Sequence, residues 1–206
     1  MKTFSKRGFT LIELAIVLII IGLIIGMVFK GRQLIENAKV KSLASQYNKI
    51  YAAALTFYDR YGFWPGDGCT SPNPADVTEC TGTKNGRLEY NDEKRAFWHL
   101  LVNVYGLLST SDLQTTLGGY WYISYLTIGT KRGNWIYIVT ESPLDTHPTV
   151  YYPKQTKYIC ALDKAIDDGE SSLGDIRLSG GSITYTKDTD CWSIDAEIIT
   201  EKLFLF

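Results

Sequence analysis

An acidic residue inside the most apolar stretch of the chain is the first candidate for chemistry. Glu13 is the only ionisable side chain in the run from Phe9 to Phe29. A carboxylate placed within hydrocarbon costs roughly 2–4 kcal/mol on insertion scales, so a residue of this kind is expected to have a function. The same charge becomes tolerable when a cation pairs with it. The sequence therefore indicates a functional role for Glu13.

The apolar run is long enough to cross a membrane. At about 1.5 Å per residue, some 20 helical residues span a ~30 Å hydrocarbon core. The leader Met1–Gly8 before it is basic, and it lacks both an apolar region of its own and the cleavage site of a secretory signal. Positive charges before a span favour a cytoplasmic N-terminus, although Lys30 and Arg32 beyond it weaken that bias.

The residues Lys6-Arg7-Gly8-Phe9-Thr10-Leu11-Ile12-Glu13-Leu14 resemble the N-terminus of type IV prepilins and of type II secretion pseudopilins. The resemblance implies cleavage between Gly8 and Phe9 by a prepilin peptidase, followed by N-methylation of Phe9. It also implies that Glu13 pairs with the Phe9 ammonium of a neighbouring subunit as subunits leave the membrane for a helical filament. The alternative interpretation is a generic signal anchor with a stray carboxylate near the interface.

The hydrophobic pattern and the resemblance together divide the chain into four segments. These are a leader (1–8), the transmembrane and assembly half of a long helix (9–29), its amphipathic half (30–61), and a globular αβ-loop, β-sheet and C-terminal region (62–206). Spacings of three and four residues predict the buried face of the amphipathic half: Leu43, Tyr47, Ile50, Tyr51, Ala54, Tyr58 and Tyr61. We expect an α+β fold in which this helix packs against an antiparallel sheet with additional short helices, as the resemblance to type IV pilins implies.

Helices and strands are expected in the globular segment. A helix from an Asn91 cap to about Leu108 and a short helix over Thr156–Asp168 follow from apolar spacing and terminal residues. The runs Tyr120–Ile128 and Asn134–Thr140 are rich in aromatic and β-branched residues and predict a hairpin, with aromatics packing on both faces of the sheet. Short strands follow, beginning at Ile176.

Cysteine usage indicates the compartment of the globular segment. Cys69, Cys80, Cys160 and Cys191 all lie outside the apolar run, and they form no CxxC or Cys/His cluster. An even number in that arrangement predicts disulfides in an oxidising space, periplasmic or extracellular. We expect Cys69–Cys80 and Cys160–Cys191, because the nearest sequential pairs close loops within single substructures.

The acidic residues at and just after the end of the third predicted helix are candidates for a metal site. Asp167, Asp168 and Asp175 lie in a glycine-bearing segment that resembles an Asp-Asp-Gly element of many prepilin-type subunits. Carboxylates there supply the hard oxygens that Ca²⁺ prefers, whereas aspartates at a helix end are also common as solvated turn residues. No other cofactor is expected, and a net charge of −1 gives no indication of a nucleic-acid partner.

Three classes of function compete. The first is a structural subunit of a type IV pilus or related filament, with a type II secretion pseudopilin as the alternative within that class. The second is a membrane-anchored extracytoplasmic binding domain that does not polymerise, and the third is an anchored enzyme. Because no nucleophile, zinc or phosphate-loop motif occurs, the sequence favours a protein that is not an enzyme. The expected partners are other pilin subunits, the peptidase, the inner-membrane assembly platform and, before assembly, the membrane. The precursor is expected in the inner membrane and the assembled subunit in an extracellular filament or periplasmic pseudopilus.

Overall fold

The computed structural model describes residues 10–68, 83–144, 156–178 and 184–194, and the backbone of 201–204. The chain divides into two compact units, Met1–Ala38 and Lys39–Phe206. The predicted α+β architecture is confirmed, since a long N-terminal helix is followed by an antiparallel sheet and short additional helices.

The first helix, α1, runs from Leu11 to Tyr61 without interruption. It ends where the sequence predicts, because Gly62 adopts a φ of 75° and its N–H donates to the Tyr58 carbonyl at 2.7 Å. A left-handed residue of this kind closes many helices and is tolerated best by glycine. Pro65 follows in a turn, so α1 stops as a defined end.

The buried face of α1 differs from the prediction. Tyr51, Tyr58 and Tyr61 are 36–38% exposed. Ala53 and Phe57, which the pattern did not select, are buried in their place, and the full buried set is Val40, Leu43, Ile50, Ala53, Ala54 and Phe57. The tyrosines were wrongly placed because their rings lie at the edge of the apolar face. There they pack on other aromatics, as Tyr58 does on Trp64 with 4.4 Å between ring centroids.

The sheet has four antiparallel strands in the order β1-β2-β4-β3. Their bounds are Tyr120–Ile128 (β1), Lys131–Val139 (β2), Ile176–Leu178 (β3) and Glu201–Phe204 (β4). The predicted β1 is confirmed residue for residue, but β2 begins three residues earlier than expected. A two-residue turn joins the strands, because Ile128 pairs with Lys131 and Gly129 takes a φ of 58°.

Both faces of the β1–β2 hairpin are buried, as its aromatic content predicts. Trp121, Ile123 and Ile136 belong to the main core, which also contains the buried face of α1. Tyr122 and Tyr137 belong to a second, smaller cluster, with their ring centroids 5.5 Å apart. The strand alternation therefore sends successive aromatic residues to opposite sides of the sheet.

The second helix, α2, spans Asn91–His99 and continues as a π-helical turn over Leu100–Val104. The predicted cap was wrong by one residue, since Asn91 is the first helical residue and Tyr90 precedes it in an extended conformation. The cap is instead supplied by Glu93, whose carboxylate accepts from the Tyr90 N–H at 3.1 Å. A carboxylate at this position suits the exposed N–H groups of a helix start.

The loop after α1 lies directly against α2. Gly66 has a φ of 82°, and a side chain there would overlap the Glu93 carbonyl oxygen. Asp67 next to it is 2% exposed and accepts from the N–H groups of Asn85 and Gly86 at 3.1 and 3.0 Å. The third helix, α3, runs over Thr156–Ile166, two residues shorter than predicted.

Candidate functional site

The first half of α1 presents its apolar side chains outward. Between Leu11 and Phe29 the large apolar side chains are 46–89% exposed. Among the described residues, α1 is the one helix long and apolar enough to cross a membrane. Exposed apolar surface on this scale is unfavourable in water. This half of α1 is therefore a surface for lipid or for other apolar helices.

Glu13 has a local partner that the sequence analysis missed. Its Oε2 accepts from the Thr10 N–H at 2.8 Å and from the Thr10 hydroxyl at 2.9 Å, and the Glu13 N–H donates to the Thr10 Oγ1 at 3.3 Å. This reciprocal arrangement is a capping box, in which a threonine before the helix and a glutamate three residues later satisfy each other's backbone groups. The T-x-x-E spacing was visible in the sequence. Glu13 thus helps to cap the N-terminus of α1 in addition to carrying a charge.

Four of the predicted site residues lie outside the described residues. These are Gly8 and Phe9 of the cleavage junction, and Cys69 and Cys80 of the first expected disulfide. Cleavage, N-methylation and the Cys69–Cys80 bond therefore stay predictions. The pairing of Glu13 with the Phe9 ammonium of a neighbour also stays a prediction.

The second predicted disulfide is present. Cys160 on α3 is bonded to Cys191 in a short 3₁₀ turn, with 5.6 Å between the Cα atoms. Both residues are buried beside Tyr185. Lys164 strengthens the same junction, since its Nζ donates to the carbonyl oxygens of Lys187 and Thr189. The segment 184–194 is thereby held against α3.

The acidic residues near the end of α3 are arranged differently from the expected set. Among the described residues, Asp163, Asp167 and Asp168 form a group in which one carboxylate oxygen from each residue lies within 4.8 Å of the others. Asp175 is not part of this group, because its carboxylate pairs with the Lys131 ammonium on β2. Asp163 was missed by the sequence analysis, although it lies one helical turn before Asp167.

Each member of the group already holds part of the fold. The Asp163 carboxylate accepts from the Gly169 N–H at 3.0 Å and from the Tyr185 hydroxyl at 2.8 Å. Asp167 Oδ2 accepts from the N–H groups of Asp175 and Ile176, and Asp168 Oδ1 accepts from the Glu170 N–H at 2.8 Å. Carboxylates that accept nearby backbone N–H groups are typical of turns. The calcium expectation stays a prediction, and these contacts give the aspartates a structural role.

Burial makes Asp163 electrostatically unusual. The residue is fully buried, and this burial raises the pKa of its carboxyl to about 6, although the Tyr185 hydroxyl and the Gly169 N–H oppose the rise. The nearby carboxylates of Asp167 and Asp168 act in the same direction as burial. A buried carboxyl among like charges binds a proton more readily than an exposed one.

Comparison with known proteins supports the N-terminal resemblance. Residues 3–29 match the family model described as the prokaryotic N-terminal methylation motif. The chain thus carries that motif, as the residues around Gly8 and Glu13 predict. The match covers the leader and the apolar run, and it does not extend into the globular segment.

No curated protein matches the chain. Among solved structures it is similar to the major type IV pilin PilA1 from Clostridium difficile, with 16% sequence identity and a TM-score of 0.40. The similarity covers 84% of this chain and 97% of the pilin. It is too loose to assign a function.

Proposed function

We propose that this chain is a pilin-like structural subunit that polymerises through its N-terminal helix into a type IV pilus or a related filament. One observation carries the proposal. The apolar half of α1 is exposed along its length, begins with a single carboxylate, and coincides with the N-terminal methylation motif. A helix of this kind can be accommodated in lipid, and it can also pack in a bundle of identical helices.

Processing is the first step of the proposed pathway. A prepilin peptidase removes residues 1–8, and N-methylation of Phe9 follows. The inner-membrane assembly platform then extracts the mature subunit into a growing fibre outside the membrane. In this scheme the globular segment stays on the extracytoplasmic side throughout, where the Cys160–Cys191 bond is favoured by oxidising conditions.

Glu13 supplies specificity at the moment of assembly. Its carboxylate pairs with the Phe9 ammonium of a neighbouring subunit, so an energetic cost of the isolated subunit is relieved in the bundle. The capping box gives the carboxylate a fixed position at the start of α1. We expect the pairing to set the axial register between neighbouring helices.

Glu13→Gln tests this role. Glutamine can occupy the same place in a capping box, so the start of α1 is retained while the charge is lost. We expect subunit abundance in the membrane to stay near normal and the filament yield to fall sharply, because the neighbour's ammonium is left unpaired in an apolar bundle. Thr10→Ala is the matched control, since it removes the threonine hydroxyl from the cap and leaves the charge. Wild-type filament yield from Glu13→Gln cells would refute the pairing.

The Gly8→Glu variant tests processing. It should leave the leader attached and keep the subunit in the membrane, and normal filaments from this variant would contradict the proposed cleavage. N-terminal sequencing of the mature chain separates a filament subunit from a tethered binding domain, which needs no cleavage after Gly8.

Electron microscopy of filaments sheared from the native cells, with mass spectrometry of their protein, distinguishes a pilus subunit from a pseudopilin. A subunit found only in the periplasm would contradict the pilus assignment. The absence of an enzymatic activity stays a prediction.

A further inference from the structure

A distinctive surface lies on α1 just beyond the apolar run. Leu34 and Ile35 are 70% and 59% exposed. In the described part of the chain, no atom beyond the adjacent backbone of α1 lies within 4 Å of the place a Gly31 side chain would occupy. With about 100° of rotation per residue, Leu34 and Ile35 lie on either side of Gly31, and the cations Lys30 and Arg32 lie outside them. We call these five residues the basic notch.

The notch is an apolar depression with a cation at each edge. Gly31 lowers the middle of the face, while the flanking leucine and isoleucine supply apolar walls. Neither Lys30 nor Arg32 has an ion pair with another residue in the described part of the chain. Its complement would be a small apolar projection surrounded by acids.

Such a projection occurs in the other unit of the chain. Ile166, at the end of α3, is 47% exposed, and Leu173 in the following turn is 56% exposed. The backbone of Gly174 lies against the Asp167 carboxylate. Ile166 directly precedes Asp167 and Leu173 directly precedes Gly174, so the two apolar residues lie on either side of this contact. Exposed Asp168 lies beside them, and the neighbouring Asp175 is already paired with the Lys131 ammonium. We call Ile166, Asp168 and Leu173 the acidic knob.

The knob is held in a fixed shape. Asp167 Oδ2 accepts from the Asp175 and Ile176 N–H groups, so the turn is closed onto the end of α3. Gly174 has a φ of 64°, and a side chain there would overlap the Asp167 carboxylate. A preorganised loop loses little entropy when it binds, which favours its use in an interface.

We propose that the acidic knob of one subunit docks in the basic notch of a neighbouring copy of this chain. The inference rests on the proposed filament function and names a contact within it. The two surfaces are different patches of one chain, as the heterologous interface of a helical assembly requires. Apolar centres with charged rims of opposite sign are typical of specific protein interfaces, where the charges fix the register.

A charge exchange tests the contact. Arg32→Asp and Asp168→Arg should each lower the filament yield by roughly tenfold at unchanged subunit abundance, because each places like charges across the interface. The double variant should restore most of the yield. Asp168→Asn is the milder variant, since it retains an acceptor oxygen for the Glu170 N–H, and it should lower the yield less than Asp168→Arg.

Three outcomes would overturn the contact. Normal yield from both single variants means that the surfaces do not meet. Loss in the single variants without rescue in the double means that they act separately. Reduced membrane abundance of Arg32→Asp would instead indicate that the notch cations bind lipid headgroups. Failure of the filament function itself is distinguishable, because the wild-type chain would then yield no filaments.

Cysteine cross-linking provides an independent measurement. Ile35→Cys combined with Leu173→Cys should give a ladder of linked subunits in sheared filaments on a non-reducing gel, because a disulfide requires Cα atoms about 6 Å apart. Leu173→Cys combined with Tyr90→Cys is the matched control, since Tyr90 is an equally accessible apolar residue at 69% exposure. A ladder of equal strength from the control, or none from the test pair, would contradict the proposed contact.

Discussion

Stability of the globular segment should increase as the pH is lowered from 7 toward 4, and Asp163 should account for much of this increase. Its carboxyl is fully buried, and burial raises its pKa to about 6, against an ordinary value of 3.8. A group whose pKa is raised on folding binds more protons in the folded than in the unfolded chain. Stability from this group is therefore present below pH 3.8 and lost as the pH rises through 6.

The size of the effect follows from the two pKa values. They differ by about two units, and each unit corresponds to about 1.4 kcal/mol, so the full contribution is ~3 kcal/mol. About 2.5 kcal/mol of it is gained between pH 7 and pH 4, and the remainder below pH 4. Glu93 acts in the same direction, because burial raises the pKa of its carboxyl as well. The contribution of Asp163 is therefore the difference in pH-dependent stability between the wild-type chain and a variant that changes only Asp163.

Asp163→Asn is that variant. It removes the titration and keeps one acceptor oxygen, so either Tyr185 or Gly169 loses its hydrogen-bond partner at a cost of about 1–3 kcal/mol. At pH 7 this cost is offset because the variant no longer buries a charge, so we expect near-wild-type stability there. The deficit should be about 1 kcal/mol at pH 5 and about 2–3 kcal/mol at pH 4, where the wild-type carboxyl is protonated. The assay is chemical unfolding of the mature chain in detergent micelles across this pH range.

Two further variants sharpen the test. Tyr185→Phe removes a hydroxyl that donates to the carboxylate, so it should raise the pKa of Asp163 further and steepen the dependence. Asp59→Asn replaces an exposed aspartate on α1 and should leave the dependence unchanged. If Asp163→Asn shows the same pH dependence as the wild-type chain, the reasoning from burial is refuted.

Three other predictions concern stability and can be measured in the same unfolding assay. Gly66→Ala should destabilise the chain by several kcal/mol more than Gly86→Ala, because both have positive φ but only Gly66 lies against the Glu93 backbone; equal losses would contradict this. Replacing both Cys160 and Cys191 with alanine should cost about 3–4 kcal/mol, from the loop of 31 residues that the bond closes, and an unchanged unfolding midpoint would show that the segment is held by other contacts. Lys49→Ala should cost less than about 1 kcal/mol despite the 2.6 Å ion pair with Asp112, because the Lys49 side chain is exposed to solvent; a larger loss would indicate a packing role.

The elements with strong local patterns were predictable from the sequence. The end of α1 at Gly62 and the whole of β1 follow from glycine chemistry and from runs of aromatic and β-branched residues. The Cys160–Cys191 pair was also predictable, since sequential pairing is the simplest arrangement of four cysteines. The end of α1 and the extent of β1 are determined by a few neighbouring residues, and the disulfide follows the order of the cysteines along the chain.

The wrong predictions concern residues whose burial, strand pairing or hydrogen bonds depend on tertiary contacts. Spacing alone cannot separate a buried tyrosine from one at the edge of a face, so Tyr51 and Tyr58 were placed inside while Ala53 was overlooked. The turn of the hairpin was predicted too long, because Lys131 and Arg132 look like loop residues until their pairing with β1 is known. Asp163 was missed because its partners, Gly169 and Tyr185, lie six and 22 residues away.

The capping box changes how substitutions at the start of α1 should be interpreted. A change from Glu13 to alanine removes two properties together, the charge and the acceptor for the Thr10 N–H. Loss of filaments from that variant would therefore fit a frayed helix end as well as a missing ion pair. Glu13→Gln retains an acceptor oxygen for the Thr10 N–H and removes the charge. Thr10→Ala removes the hydroxyl that caps the helix and retains the Glu13 charge. Comparing these two variants separates the helix cap from the charge, and assembly through Glu13 requires that the charge be the property that matters.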